Sequence, residues 1–252
     1  MQRLVHDTLT KVAAEYPPGE LRNSQMADID RIAFHVTLVL SCGSHAVCDI
    51  GGGIGMFSVG CAALGMNATL VDDFRDPVNL RFGNDILKLH RAHGVRVISR
   101  DVVMEGVGDF ARESFDAVTI FDSMEHWHHS PRSLFRQLLN CLKPGGLFLL
   151  GGPNCVNLRK RITVPFGFGK WSSMSDWYES DVFRGHVREP DVDDLRYIAQ
   201  DLGLKDVKIV GRNWLGFRNS RAWIRAIAPI VDRALILAPS LCSDIYLTAH
   251  KP

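Results

Sequence analysis

A four-glycine turn constrains this chain more than any other feature. In CDIGGGIGMFSVG, residues 48–60, three consecutive glycines (Gly51, Gly52 and Gly53) and a fourth at Gly55 stand between a short apolar run and a stretch of small residues with helical spacing. A backbone that passes so sharply from strand to helix needs residues that accept positive φ, and a ligand can approach it closely only where no Cβ intervenes. The helix start that follows offers N–H groups without intrahelical partners. Such a turn belongs to folds in which a strand hands over to a helix at a ligand-facing edge.

The rest of the chain supplies that fold. Residues 1–15 and 25–42 have helical spacing and are separated by the turn-forming PPG at 17–19, which predicts an N-terminal helical cap over 1–45. From residue 46 strands and helices alternate. AVCDI (46–50), ATLVDD (68–73), VRVIS (95–99), FDAVTIF (115–121) and LFLL (147–150) read as strands. Gly55–Leu64 and Val78–His93 read as the helices between the first three. Ser130 is a candidate N-cap with Pro131 at the first helical position, Leu134, Leu138 and Leu142 repeat at i+4, and Lys143-Pro144-Gly145-Gly146 ends that helix. Asp191–Leu202 is a further helix, and VKIV (207–210) and DIYLTAH (244–250) are further strands. This alternation predicts a doubly wound α/β fold over 46–252, a mostly parallel sheet with helices on both faces. The Gly-, Pro- and aromatic-rich tract at about 153–190 is expected to be a lid or insertion.

Composition sets limits on what such a domain does. The chain has 252 residues, 29 basic and 28 acidic, so no sequence-wide nucleic-acid footprint is expected. Its six cysteines (Cys42, Cys48, Cys61, Cys141, Cys155, Cys242) contain no CxxC pair, and four lie in apolar segments, which predicts free thiols, a reducing compartment and no zinc site. The first twenty residues lack the apolar stretch of a signal peptide. The longest apolar tract, 222–238, is broken by Pro229, Asp232 and Arg233 and should not span a bilayer. A cytoplasmic location is expected.

The glycine spacing separates two nucleotide-like ligands. Asp72 ends the second strand, 21 positions after Gly51, where a carboxylate can accept both hydroxyls of a ribose. The glycines fall at Gly51, Gly53 and Gly55, with Met56 and Ser58 where a dinucleotide fingerprint would require glycine. The pattern is GxGxG, which argues against a nicotinamide cofactor.

DIGGGIG, the acidic VDD, FDAVTIFDSMEH and LKPGGLFLL, in that order, resemble the class I S-adenosylmethionine-dependent methyltransferases, most of all the branch with the ubiquinone-biosynthesis and small-molecule enzymes. The resemblance covers about residues 46–152; GHVREPDVDDLRYIAQDLGL follows the family more loosely. It implies a Rossmann-like seven-stranded sheet with an antiparallel last strand, and S-adenosylmethionine as cofactor. It further implies that the backbone at Gly51, Gly53 and Gly55 packs against the methionine portion and that Asp49 orients its amino group, directly or through water. Asp72 matches the ribose-binding acid, although Asp73 doubles it and either carboxylate can serve. Asp101 and Val102 match the pair at the adenine edge, while the tract from Val102 to Phe110 departs from the family pattern. Asp122 and Ser123 follow the fourth strand, where the backbone closes over the sulfonium.

A sulfonium methyl is already activated, so the protein mainly aligns the nucleophile and excludes water. A base is needed only where the nucleophile carries a proton. His126 is the first candidate and His186 the second; the structural alternative makes His126 a loop cap and Asp122 and Glu125 acceptors for backbone N–H groups. His126, His128 and His129 lack an obvious acidic pair, so no metal site is expected. The acceptor side is assigned to the N-terminal helices and the tract 153–190. There Trp171, Trp177, Tyr178 and Phe183 form either an apolar wall or loop anchors, and Arg159, Lys160 and Arg161 either meet an anionic acceptor or form a solvated face. Residues 214–236 carry Arg218, Arg221 and Arg225 on one side and Trp223, Ile227 and Ala234 on the other, either a peripheral membrane contact or a face packed on the domain. The expected activity is methyl transfer to a small-molecule, sugar or lipid-linked acceptor, at oxygen, by in-line displacement. The alternatives are a catalytically silent methyltransferase-like binding module and a nicotinamide-dependent oxidoreductase.

Overall fold

The computed structural model describes residues 1–169, 172–217 and 221–252, so Trp171 and Arg218 lie outside the described residues. Seven strands, β1 (Ala46–Ile50), β2 (Asn67–Asp72), β3 (Arg96–Ser99), β4 (Phe115–Phe121), β5 (Leu142–Pro153), β6 (Lys205–Arg212) and β7 (Asp244–His250), form one sheet of order β3-β2-β1-β4-β5-β7-β6. β1 runs parallel to β2 with Val47 opposite Ala68, parallel to β4 with Val47 opposite Ala117, and β2 runs parallel to β3. The sheet is mixed, with the last strand antiparallel, as the family resemblance implies. Strand order reverses beside β1, and in open α/β sheets ligands bind outside the carboxyl end at that reversal.

The chain divides into two compact units. The first comprises Met1–Ile120, Pro131–Phe148 and His250–Pro252. Its helices are α1 (Gln2–Glu15), α2 (Glu20–Ala27), α3 (Ile29–Ser41), α4 (Phe57–Ala63), α5 (Pro77–Ala92), α6 (Val102–Glu105) and α7 (Arg132–Cys141). The apolar side of α1 is buried through Val5, Leu9 and Val12. Leu9 reaches so near α4 that a Cβ on Gly60 would come within 2.4 Å of it. α4 begins at Phe57, two residues later than its spacing predicts, because Ile54 to Met56 still belong to the turn closed by Gly55 N–H donating to the Gly52 carbonyl (3.2 Å).

α7 has Pro131 rather than Ser130 at its N-cap and ends at Cys141. Leu142 and the following KPGG are strand, not a helix stop. Gly145 N–H donates to the Lys251 carbonyl and Lys251 N–H to the Gly146 carbonyl, both at 3.0 Å, so the chain's end draws this segment into β5. That pairing partner lies over a hundred residues away and leaves no local signal.

The second unit comprises Phe121–Ser130 and Leu149–Ala249. It holds α8 (Leu158–Thr163), α9 (Met174–Tyr178), α10 (Val192–Asp201), α11 (Trp214–Phe217) and α12 (Ala222–Leu235). α10 starts on a capping box in which Asp191 accepts from Asp194 N–H (2.9 Å) and Asp194 accepts from Asp191 N–H (3.2 Å). The tract from Pro153 to Pro190 leaves and returns at nearly one point, since Cys155 N–H donates to the Pro190 carbonyl at 3.1 Å. Phe121 and Tyr246 meet edge to face, and the Tyr246 hydroxyl accepts from the Trp214 indole N–H at 2.8 Å. All six cysteines are free thiols and four are buried. Among the described residues no helix is long and apolar enough to cross a membrane.

Candidate functional site

The first unit builds the glycine turn from the inside out. Gly51 and Gly53 take φ of 72° and 56°, the left-handed region that suits glycine. Gly52 is fixed by space: a Cβ there would stand 2.2 Å from Asp49 Oδ2. Asp49, at the end of β1 and 3% exposed, accepts from Ser58 Oγ (2.7 Å) and Thr119 Oγ1 (3.1 Å). Burial pushes its carboxyl up to about 6, against those two hydrogen bonds. Its carboxylate thus lies under the turn, with its described hydrogen bonds directed to side chains of α4 and β4.

Asp72 lies beside the turn. Its Oδ2 accepts from Gly53 N–H at 3.0 Å and its Oδ1 from Phe74 N–H at 2.6 Å. Phe74 holds φ at 53°, a strained value for an aromatic residue, while its N–H sits on the carboxylate. Burial raises the Asp72 carboxyl to about 6, against both backbone hydrogen bonds. Asp73 instead accepts from Arg75 N–H at 2.9 Å, so of the doubled acid it is Asp72 whose described bonds join the turn. Asp101 caps α6, accepting from Met104 N–H at 3.2 Å, and Val102 is buried behind it.

Two residues that sequence reasoning missed complete the turn. The buried Tyr16, just past α1, donates its hydroxyl to the Ile54 carbonyl at 3.1 Å. The buried His90 of α5 lies 3.1 Å from the Gly55 carbonyl through Nε2 and 2.9 Å from the Ile86 carbonyl through Nδ1. Burial lowers its pKa, and a neutral imidazole donates to only one of two carbonyls. The successive carbonyls of Ile54 and Gly55 thus each meet a buried polar side chain, Tyr16 after α1 and His90 on α5. The arrangement fits S-adenosylmethionine: a cradle without Cβ atoms, with a half-buried carboxylate beside it that can accept ribose hydroxyls.

The second unit gathers the other candidates. Asp122, in the left-handed region at φ 48°, donates its N–H to the Gly151 carbonyl at 2.9 Å, and Ser123 beside it is buried. His126 and His186 meet edge to face with ring centres 4.8 Å apart. His126 Nδ1 is 2.8 Å from the Arg184 carbonyl, and His186 Nδ1 is 2.8 Å from Glu189 Oε1. A carbonyl or ionised carboxylate only accepts, so in the neutral form both rings carry hydrogen on Nδ1 and the lone pair on Nε2.

Of this cluster's acidic members, Glu125 was expected only as an acceptor for backbone N–H groups and Glu189 was not singled out. Glu125, 2% exposed, is pushed up by burial to about 7, against its own backbone N–H and His186. Its carbonyl accepts from Val187 N–H (2.6 Å) and Arg188 N–H (3.1 Å), which ties the cluster's two segments together. Burial works to raise Glu189 too, but its hydrogen bonds with His186 and Lys160 hold it down at about 2. The Glu189 hydrogen bond in turn raises His186. Glu125, His126 and His186 offer ligand atoms all within 4.8 Å of one another, a mixed N/O donor set that a divalent cation accepts. His128 is not part of it; its Nε2 lies 3.2 Å from the Phe183 carbonyl. Trp177 and Tyr178 of α9 are exposed.

Comparison with known proteins agrees with this geometry. Residues 2–209 match the model of a methyltransferase domain. The ubiquinone biosynthesis O-methyltransferase of Xanthomonas oryzae pv. oryzae (strain PXO99A) is 32% identical over 124 residues, 48% of this chain and 48% of that protein. The chain therefore matches about half the length of the curated relatives. Among solved structures, magnesium protoporphyrin IX methyltransferase from Synechocystis PCC 6803 with bound SAH has a TM-score of 0.57 at 14% identity, over 98% of this chain and 94% of that one. Haemonchus contortus phosphoethanolamine N-methyltransferase 2, in complex with S-adenosyl-L-methionine, gives 0.54 at 19% identity, over 87% and 52%. At such identities the structural likeness speaks to the fold. The chain belongs to the class I S-adenosylmethionine-dependent methyltransferases.

Proposed function

We propose that the protein transfers a methyl group from S-adenosylmethionine to oxygen of a small-molecule, sugar or lipid-linked acceptor by in-line displacement. The observation that carries the reading is the Asp72 carboxylate bonded to Gly53 N–H beside a Cβ-free turn, in a chain of this family. When bound, S-adenosylmethionine supplies a methyl group already activated on a sulfonium. The backbone at Gly51, Gly53 and Gly55 receives the methionine portion, with Asp49 orienting its amino group directly or through water. Asp72, rather than Asp73, accepts the ribose hydroxyls, Asp101 and Val102 border the adenine, and Asp122 and Ser123 border the sulfonium.

For an acceptor hydroxyl, His186 is the better-supported base. Glu189 holds its Nδ1–H, leaving Nε2 basic, an orientation device common to enzymes that activate oxygen nucleophiles. His126 is the second candidate. Support for oxygen comes from this carboxylate-oriented pair and from relatives named as O-methyltransferases. In the same reading residues 1–45 act as a helical cap, the tract 153–190 lines the acceptor side, the protein works in the cytoplasm, and a lipid-linked acceptor brings residues 214–236 to a membrane surface.

Calorimetric titration with S-adenosylhomocysteine, with NADH in parallel, tests the core of this reading. Micromolar binding of the first alone, lost in Asp72→Ala, supports it. NADH binding overturns it, and binding of neither leaves the silent module as the reading to pursue.

A further inference from the structure

α12 is turned inside out for a helix on a water-facing surface. Its inward side is Ala228 and Asp232. Asp232, 6% exposed, pairs with Arg212 at 3.1 Å and accepts from Asn213 N–H at 3.0 Å and Asn213 Nδ2 at 3.1 Å. The only carboxylate of the helix therefore points inward, where a soluble amphipathic helix would put aliphatic side chains.

The outward side is apolar. At about 3.6 residues per turn, Trp223, Ala226 and Ile230 lie opposite Ala228. Ile227 and Val231 extend this strip to one flank and Arg233 bounds it on the other, while the exposed Arg225 lies nearer Asp232 around the helix. Trp223 is 61% exposed, Ile230 70%, and Leu237 just beyond the helix 86%. Singly exposed apolar residues are ordinary, but a contiguous strip of this kind marks a contact surface. The match to the methyltransferase-domain model ends at residue 209, before α12 begins.

Charge chooses the occupant. Residues 214–237 contain four arginines, Arg218, Arg221, Arg225 and Arg233, against one acidic residue, Asp232. With Asp232 turned inward, the exposed ionic groups of α12, Arg225 and Arg233, are both cationic, on a chain whose total charge is only +1. An apolar strip with a tryptophan and an arginine flank is the arrangement that settles into the headgroup region of an anionic bilayer. A second copy of the same face would offer Arg233 no acidic partner, whereas an anionic headgroup does.

We propose that α12 is a peripheral docking helix for anionic lipid, its Trp223–Ile227–Ile230 strip lying in the plane of the interface. This rests on the membrane-surface part of the reading above and not on methyl transfer. The test is co-sedimentation of the full chain with vesicles of phosphatidylcholine containing phosphatidylglycerol, against phosphatidylcholine alone. Expected is binding to the anionic vesicles only, weakened by salt. Ile230→Asp should reduce it at least tenfold, and Arg225→Gln with Arg233→Gln by roughly tenfold to thirtyfold at about one unit of lipid attraction per arginine. Circular dichroism and S-adenosylhomocysteine binding, which Ile230→Asp should leave unchanged, report that the variant is folded. Four results overturn the proposal: absence of vesicle binding by folded wild type, equal binding to neutral vesicles, full retention by Ile230→Asp, or a dimer that Ile230→Asp dissolves. A negative result leaves the cofactor titration standing, because vesicle binding is read without cofactor.

Discussion

The glycine turn and the histidine cluster are both preorganised, by opposite means. The turn is held by backbone sterics and by groups between residues 49 and 90, with Tyr16 and Thr119 as its distant supports. The cluster is assembled across a chain excursion of some sixty residues, its segments tied by the Glu125 carbonyl to Val187 and Arg188 N–H and its reactive geometry set by side chains, His126 against His186 and His186 on Glu189. The first should fail by steric conflict. The second should fail by loss of charge and tautomer while its backbone persists.

The largest effect should come from Gly52→Ala. The added Cβ meets the buried Asp49 carboxylate at 2.2 Å, which cannot move without breaking its bonds to Ser58 and Thr119. Overpacking of this kind costs about 3 kcal/mol, to be read by urea unfolding, and S-adenosylhomocysteine binding should be lost with it. A variant of wild-type stability would show that the turn is less rigid than the comparison requires.

In the cluster, His186→Gln should lower kcat by roughly a hundredfold or more, as removal of a general base does, while S-adenosylhomocysteine affinity holds. The ring's titration offers a check independent of any acceptor. The Glu189 hydrogen bond raises His186 above the ordinary 6.5, and Glu189→Gln should bring it down in an NMR titration. Glu189, held at about 2 against an ordinary 4.5, stabilises the folded state above pH 4.5, and that contribution fades as pH falls towards 2. A His186 titration unmoved in Glu189→Gln would break the assignment of a carboxylate-oriented base.

Asp72→Asn separates binding from stability. Replacing a charged acceptor of ribose hydroxyls removes about 2 kcal/mol of affinity, roughly thirtyfold. Because burial raises Asp72 to about 6, wild-type affinity should fall as pH drops through 6, and the variant should be nearly flat there. Stability runs the other way. A raised carboxyl favours folding at acid pH and loses that contribution as pH rises through 6, so the variant should not be less stable than wild type at pH 7. Calorimetry at several pH values and thermal unfolding read the two signs. The smallest effect belongs to Tyr16→Phe, which removes one buried hydrogen bond to the Ile54 carbonyl, about 1 kcal/mol by urea unfolding.

What was legible follows from this contrast. The strand–glycine–helix passage, the acid ending the next strand and the alternation of strands with helices all express local sterics and periodicity, so they could be read before folding. The KPGG segment misled because its geometry comes from pairing with Lys251. Tyr16, His90 and Glu189 carried no local pattern tying them to a site, and Glu125 read only as an acceptor for backbone N–H groups. Nor did α12 announce which side faces inward: the sequence shows an amphipathic helix, and only the Asp232 pair with Arg212 reveals that its apolar strip faces out.

By itself the sequence determined the fold class, the ligand-facing turn and the acid beside it, because backbone φ preferences and side-chain periods act over a few residues. The tertiary structure decided which of two adjacent acids joins the turn, which histidine gains a carboxylate and which face of α12 is buried. Those choices depend on groups far apart in the chain, and hydrogen bonds and burial select among them only once the backbone has brought them together.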